Sequence, residues 1–236
     1  MIDIVLPALD QRELTMASED MARGPGDPQR NPPEPLAGRI VLGGPLSVPV
    51  TTEFVSEDPE LKAFVASEAG AAVYHLLHLS LTCATQAPPG GSGAAPRSLP
   101  DLHTVNVDLT LSAEAGAAFP PVAWSMTPQQ VTETVQATTN LQLGPQLAFV
   151  GHSRTTQRGR VCVEALRELR SDPGWEIRHT RTVPIGGGYR LAMVVRAPAG
   201  VVSRVAVGVG ASVRRGHLLR RYREEIPDPL RLSVEL

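Results

Sequence analysis

The side chains in this chain that could carry out chemistry are its six histidines, its two cysteines and a dense run of C-terminal arginines. His75 and His78 stand as HxxH. On a helix they would share a face and offer a pair of metal ligands; on a strand they point to opposite sides, which defeats the pair. The surrounding "AAVYHLLHLSLTCAT" (71–85) reads as a strand buried on both faces, so no metal centre is expected there. His103, His152, His179 and His217 are scattered. Cys83 and Cys162 are 79 residues apart, with no CxxC spacing and no Cys/His cluster, so zinc is not expected either. Cys162 has Arg158, Arg160 and Arg167 nearby, which would lower a thiol pKa, but its apolar flanks Val161 and Val163 favour a buried structural thiol. No GxSxG elbow is present, and no Ser or Cys stands in a nucleophile turn. The reading therefore points away from an enzyme and predicts no cofactor.

Two glycine clusters invite a phosphate or dinucleotide reading. "PIGGGYR" (184–190) lacks the helix that would have to follow a phosphate loop; a strand follows instead, so a hairpin turn using positive φ is expected. "VGVGAS" (207–212) has no third glycine at the dinucleotide spacing. Gly208 and Gly210 fall on one face of a strand, where a bulky neighbour or a second sheet would approach closely.

The arginines carry the charge signal. Residues 151–236 hold 16 bases and 8 acids, whereas residues 1–86 hold 5 bases and 12 acids. Within "SVRRGHLLRRYREEIPD" (212–228), Arg214, Arg215, Arg220, Arg221 and Arg223 surround Leu218, Leu219 and Tyr222. This set suits an anionic partner: a headgroup surface or a phosphate backbone. The plainer alternative is one short helical turn anchored by Leu218, Leu219 and Tyr222, with the arginines solvated or paired to Glu224 and Glu225.

The elements that must position these groups are short. Twenty-two prolines and 21 glycines break the chain often, and a 42% hydrophobic content is enough for a large core. Only Lys62 among the basic residues is not Arg, a bias typical of a GC-rich coding sequence and here taken as bacterial. No apolar run of about 18 residues and no leader-like N-terminus is present, so a cytoplasmic protein is expected.

Four segments follow along the chain. Residues 1–38 are read as a short strand (Ile2–Leu6), a weak helix near Leu9–Met21 and a flexible Pro-rich linker. Residues 39–86 form a small β/α segment. Its two β runs are broken at Gly43-Gly44-Pro45, and its helix lies within 56–70, with Asp58 as cap and Pro59 at the first helical position. Residues 87–100 are a Gly/Pro/Ser-rich loop. From 101 to 236 the apolar period is two nearly throughout: 103–112, 122–127, 131–143, 175–180, 189–196, 201–213 and 230–236. The segment 160–170 begins as a strand and is ambiguous after Leu166. The fold class is mainly β, an antiparallel β-sandwich or barrel-like variant, with one or two short helices in the N-terminal half.

One of these stretches differs from the rest. "VTETVQATTNLQLGPQLAFVG" (131–151) alternates but carries a single charge, Glu133. Gly144-Pro145 divides it into a strand, Val131–Leu143, and a shorter run, Gln146–Val150. Its polar face (Thr132, Thr134, Gln136, Thr138, Asn140 and Gln142) has the character of a surface covered by another chain or by a loop. Three functions follow. The leading one is a non-enzymatic protein-binding or assembly module that meets a partner or itself. The second is a membrane-associating or pore-forming protein using an amphipathic hairpin around 131–165, with 131–150 as one arm, "GHSRTTQRG" (151–159) as the tip and 160–165 as the return. Pro145 and Arg167 argue against that hairpin. The third is nucleic-acid binding through 214–223.

Overall fold

The computed structural model describes residues 8–19, 34–84, 101–132, 139–144, 147–152, 161–180, 183–215 and 218–232. The described strands begin with β1 (Gln11–Ser18), β2 (Leu36–Pro49), β3 (Ala72–Cys83), β4 (Leu102–Ala113) and β5 (Val122–Thr127). They continue with β6 (Gln130–Thr132), β7 (Thr139–Gly144), β8 (Leu147–His152), β9 (Val161–Leu166) and β10 (Gly174–Arg178). The last four are β11 (Gly187–Pro198), β12 (Ser203–Arg215), β13 (Leu218–Glu225) and β14 (Leu230–Leu232). One helix, α1 (Pro59–Glu68), lies among the described residues.

All but β7 and β8 join one antiparallel sheet, in the order β5-β11-β3-β2-β1-β13-β12-β4-β10-β9-β6, with β14 beside β12. The two ends of this path, β5 and β6, are consecutive in sequence, so the sheet curls into a nearly closed barrel. The turn after β9 helps close the seam. Leu169 N donates to Ala123 O at 2.8 Å, and Ala123 N donates to Arg170 O at 3.0 Å. Arg167 and Leu169 take positive φ, 58° and 62°, in making that turn. The ambiguity at 160–170 thus resolves as strand to Leu166 and turn beyond it.

Alternation decides which side chains fill the interior. Along β3, Leu77, Leu79 and Leu81 face the barrel core, while Tyr74 and Leu76 join a second cluster beneath α1 with Leu61, Val65, Ala192 and Val194. The expectation that this strand is buried on both faces holds, because barrel and helix cover it from opposite sides. Burying each such side chain contributes about 1.5–3 kcal/mol. The cap of α1 is the expected one: Asp58 Oδ1 accepts from the backbone N–H of Glu60 and Leu61, both at 3.1 Å.

Several expectations are corrected. The helix foreseen near Leu9–Met21 is β1: Leu14 and Met16 are fully buried while Glu13 and Thr15 are exposed, a period of two that wins over weak helical propensity. The two runs of 39–55 are one strand, β2, carrying a bulge where pairing with β3 shifts between Gly43 and Leu46. Gly44 sits there at φ +82°, and a Cβ on it would lie 2.9 Å from the His78 carbonyl oxygen. In β5, Val122, Trp124 and Met126 do not share a face. The register shifts opposite Val194/Val195, so Met126 and Ala123 enter the barrel core while Trp124 packs in the helix-side cluster. The triple glycine is not a hairpin turn: β10 pairs β4 and β9, whereas β11 pairs β3 and β5, so the chain crosses over. Positive φ is used there, at Gly187. Arg196 shares its face of β11 with buried Val194 and is half-covered. Its guanidinium lies 4.4 Å from the Phe119 ring centroid and 3.2 Å from Glu68 Oε2.

Candidate functional site

The segment between β6 and β9 leaves the barrel edge and returns to it. β6 pairs β9 antiparallel, with Gln130 opposite Glu164, Val131 opposite Val163 and Thr132 opposite Val161. Cys162 Sγ donates to the Val131 carbonyl at 3.2 Å across the same edge. Between these strands the chain makes a separate two-stranded sheet, β7 with β8, in which Thr139 opposes His152, Leu141 opposes Val150 and Gly144 opposes Leu147. β7 runs against β5, at the other end of the barrel sheet.

This register corrects the position of the hairpin tip. The chain reverses between Gly144 and Leu147, so β8 is already the return arm. The first two residues of "GHSRTTQRG", Gly151 and His152, belong to β8 itself; its residues 153–159 lie outside the described residues. Pro145 lies outside the described residues. Arg167 lies beyond β9, its Nη2 donating to Asp108 Oδ1 at 2.9 Å, so it does not interrupt the return strand. Of the two features that spoke against a hairpin, Arg167 thus falls outside its strands.

The six polar positions are only partly brought together. Thr132 is half-buried in β6. Thr134, Gln136 and Thr138 lie outside the described residues, as does the middle of the strand expected over Val131–Leu143. Asn140 and Gln142 are in β7, opposite Gly151 and Ala148. The two ends of that expected strand belong to two different sheets, β6 to the barrel and β7 to the hairpin.

The arginine segment is a hairpin and not a helical turn. β12 and β13 pair with Arg215 opposite Leu218, Arg214 opposite Leu219, Val213 opposite Arg220 and Ser212 opposite Arg221. Alternation separates the arginines: Arg220 shares a face with buried Tyr222, while Arg214, Arg221 and Arg223 share the other. Arg223 Nε donates to Glu225 Oε1 at 2.7 Å, which holds its guanidinium above the usual range. The Glu225 carboxylate lies over Gly208, where a Cβ would come within 2.9 Å of it. The close approach expected at Gly208 is therefore made by a side chain on the neighbouring strand. Gly210 has ordinary space.

His75 and His78 lie three residues apart on β3 and so face opposite sides. His75 is buried, with Nδ1 3.3 Å from Ser47 Oγ, and burial lowers its pKa to about 4. His78 moves the same way through burial and the nearby Arg190. Cys83 is buried, and its thiol is pushed up to about 12, which makes it unreactive. Among the described residues no group of three or more His, Cys, Asp and Glu side chains is placed to hold a metal ion.

The His75 shift has a testable sign. The unfolded imidazole, with a pKa of about 6.5, binds a proton that the folded one refuses until about pH 4. Stability is therefore unaffected above the unfolded value and falls with pH between the two, by at most about 1.4 kcal/mol per pH unit. Urea unfolding of the wild type at pH 7.5 and 5 should show this loss, and His75→Gln should reduce it. An equal loss in both proteins would assign the acid sensitivity elsewhere.

No protein-family model matches the sequence, and no curated protein matches it. Among solved structures, the chain overlaps one titled "Pore forming protein" at 9% identity and a TM-score of 0.35, covering 82% of this chain and 83% of that one. The Clostridium perfringens NetB toxin in its membrane-inserted form overlaps at 9% identity and TM-score 0.31, over 94% of each chain. Clostridium perfringens delta-toxin overlaps at 9% identity and TM-score 0.32, over 82% of each. Likenesses at this level carry no structural argument.

Proposed function

We propose that this chain is a self-associating, membrane-inserting protein that delivers residues 131–163 to a bilayer as one amphipathic β-hairpin. The observation that supports this is the pair of nested registers. β6 with β9 and β7 with β8 are both antiparallel and enclose the same turn. Between Thr132–Val161 and Thr139–His152, six residues on the outgoing side answer eight on the return. The difference is even, so the two ladders could be joined without inverting one against the other; single-residue register shifts stand within them at Val131/Thr132, Leu141/Gln142 and Gln142/Gly144.

The composition of the hairpin fits the bilayer. Thr134 through Ser153 contains no Asp, Glu, Lys or Arg, so the reversal between Gly144 and Leu147 would cross hydrocarbon without carrying a formal charge. Val135, Ala137, Leu141 and Leu143 make one face, and Gln136, Thr138, Asn140 and Gln142 the other. This is the alternation of a strand with lipid on one side and water on the other. Glu133, Arg154, Arg158 and Arg160 flank the charge-free window, at the end of the hairpin that would meet headgroups. Fourteen residues from Val131 to Gly144 reach roughly 45 Å when extended, beyond the ~30 Å hydrocarbon core.

Self-association belongs to the same proposal. A lone two-stranded hairpin leaves two unpaired edges in lipid, and only a closed barrel of several copies satisfies them. The assembly role read from the sequence is thereby retained, with a second copy of this chain as the partner. Dye release from anionic liposomes tests the reading, with the purified chain both intact and after limited proteolysis. Release is expected in at least one form; its absence in both would end the proposal.

A further inference from the structure

We propose that the β12–β13 tip is a docking element for anionic bilayers, distinct from the inserting hairpin and directed at the same membrane. Leu218 and Leu219 are 67% and 47% exposed, the two most exposed large hydrophobics of the barrel's strands. They stand at adjacent positions on opposite faces of β13. Each has an arginine one step behind it: Arg220 on the face of Leu218, Arg221 on that of Leu219. Among the described residues neither Arg220 nor Arg221 enters an ion pair, whereas Arg223, farther from the tip, is held by Glu225. Arg215 and Arg214 stand opposite Leu218 and Leu219 in the register, so exposed apolar groups ringed by arginine positions meet at this end, a combination suited to a surface that offers acyl chains and phosphates together.

Topology supplies the second observation. Backbone pairs trace one end of the barrel from the tip to the hairpin exit. Arg215 pairs Leu218, Val213 pairs Leu102, Thr104 pairs Arg178, Ile177 pairs Val163 and Val161 pairs Thr132. The Leu/Arg tip and the point where the chain leaves β6 are therefore on the same end, with β12, β4, β10 and β9 between β13 and β6, roughly 24 Å along the sheet at ~4.8 Å per strand. Val183, also exposed, lies in the β10–β11 crossover at that end. Leu169, the remaining exposed large hydrophobic among the described residues, lies at the other. Docking by the tip would bring the exit of the charge-free hairpin against the headgroups. In this respect the inference rests on the proposed insertion, although docking can be measured by itself.

The test is flotation of the full chain with phosphatidylcholine vesicles, with and without phosphatidylglycerol, alongside dye release from the same vesicles. Binding is expected only with the anionic lipid, and it should weaken as salt rises. Leu218→Ser with Leu219→Ser should lower binding at least about tenfold, since both side chains lose their apolar burial. Arg220→Gln with Arg221→Gln should lower it about tenfold or more, from a few-fold for each cation. All four positions are exposed or half-exposed, and an unchanged thermal melt confirms that the variants fold. Undiminished flotation of both variants overturns the docking role, even if dye release persists and the hairpin reading stands. Tip-dependent flotation without any release supports docking and ends the insertion reading instead. Equal binding to neutral vesicles, no binding at all, or tip-dependent binding to duplex DNA without vesicle binding each overturns it.

Discussion

Leu141→Arg combined with Val150→Arg should abolish dye release while leaving the barrel folded. The two positions oppose one another in the β7–β8 register, so the double variant places two cations side by side on one face of the hairpin. A lipid-facing arginine near the bilayer midplane costs about 2–4 kcal/mol, so a pair lowers the inserted population by about three orders of magnitude or more. An assembly of several copies multiplies that cost. Gln142→Arg is the matching control. It lies on the polar face, which would line water, and should retain most of the release. Equal release by the double variant and the control would show that this hairpin does not meet lipid. An unchanged unfolding midpoint in urea for the double variant separates loss of insertion from loss of fold.

Trp175→Ala should be the most destabilising single substitution in the barrel, by about 3–5 kcal/mol. The side chain is fully buried on β10, at a position flanked in register by Val107 and Ala165. Its Nε1 donates to the Pro128 carbonyl at 3.2 Å, tying the interior to the two-residue link between β5 and β6. Truncation removes the largest core side chain and leaves that carbonyl without its partner. Trp175→Phe keeps much of the volume and loses the bond, for a smaller cost of about 1–3 kcal/mol. Urea unfolding followed by far-UV circular dichroism measures both. A loss below about 1 kcal/mol for the alanine variant would mean that the barrel relaxes around the site.

The architecture was legible where alternation met full burial. Val205, Val207 and Val209, Leu191 and Met193, and Trp175 with Ile177 are inward-facing both by sequence period and by burial. A strand's side-chain period depends only on its own backbone, so it can be read without knowing the neighbours. The helix was legible for the same reason, since Asp58 caps it from within the same few residues. Bulges were legible only in part. The Gly43-Gly44-Pro45 break marked the irregularity in β2, though not that the strand continues through it, whereas the shift at Val194–Val195 depends on how β5 pairs and no local signal announces it.

The candidate site divides in the same way. The sequence alone determined that 131–151 is amphipathic and nearly uncharged, that arginines crowd 214–223, and that neither a GxSxG nor a CxxC motif is written in the chain, because these are properties of composition and spacing. Tertiary structure decided that the hairpin turns at Gly144–Leu147, that Arg167 stands outside it, and that its exit shares one end of the barrel with Leu218 and Leu219. Each of those is a matter of register between strands far apart in the chain. Register is set by pairing energies summed across the whole sheet, so it becomes visible only when the sheet is assembled.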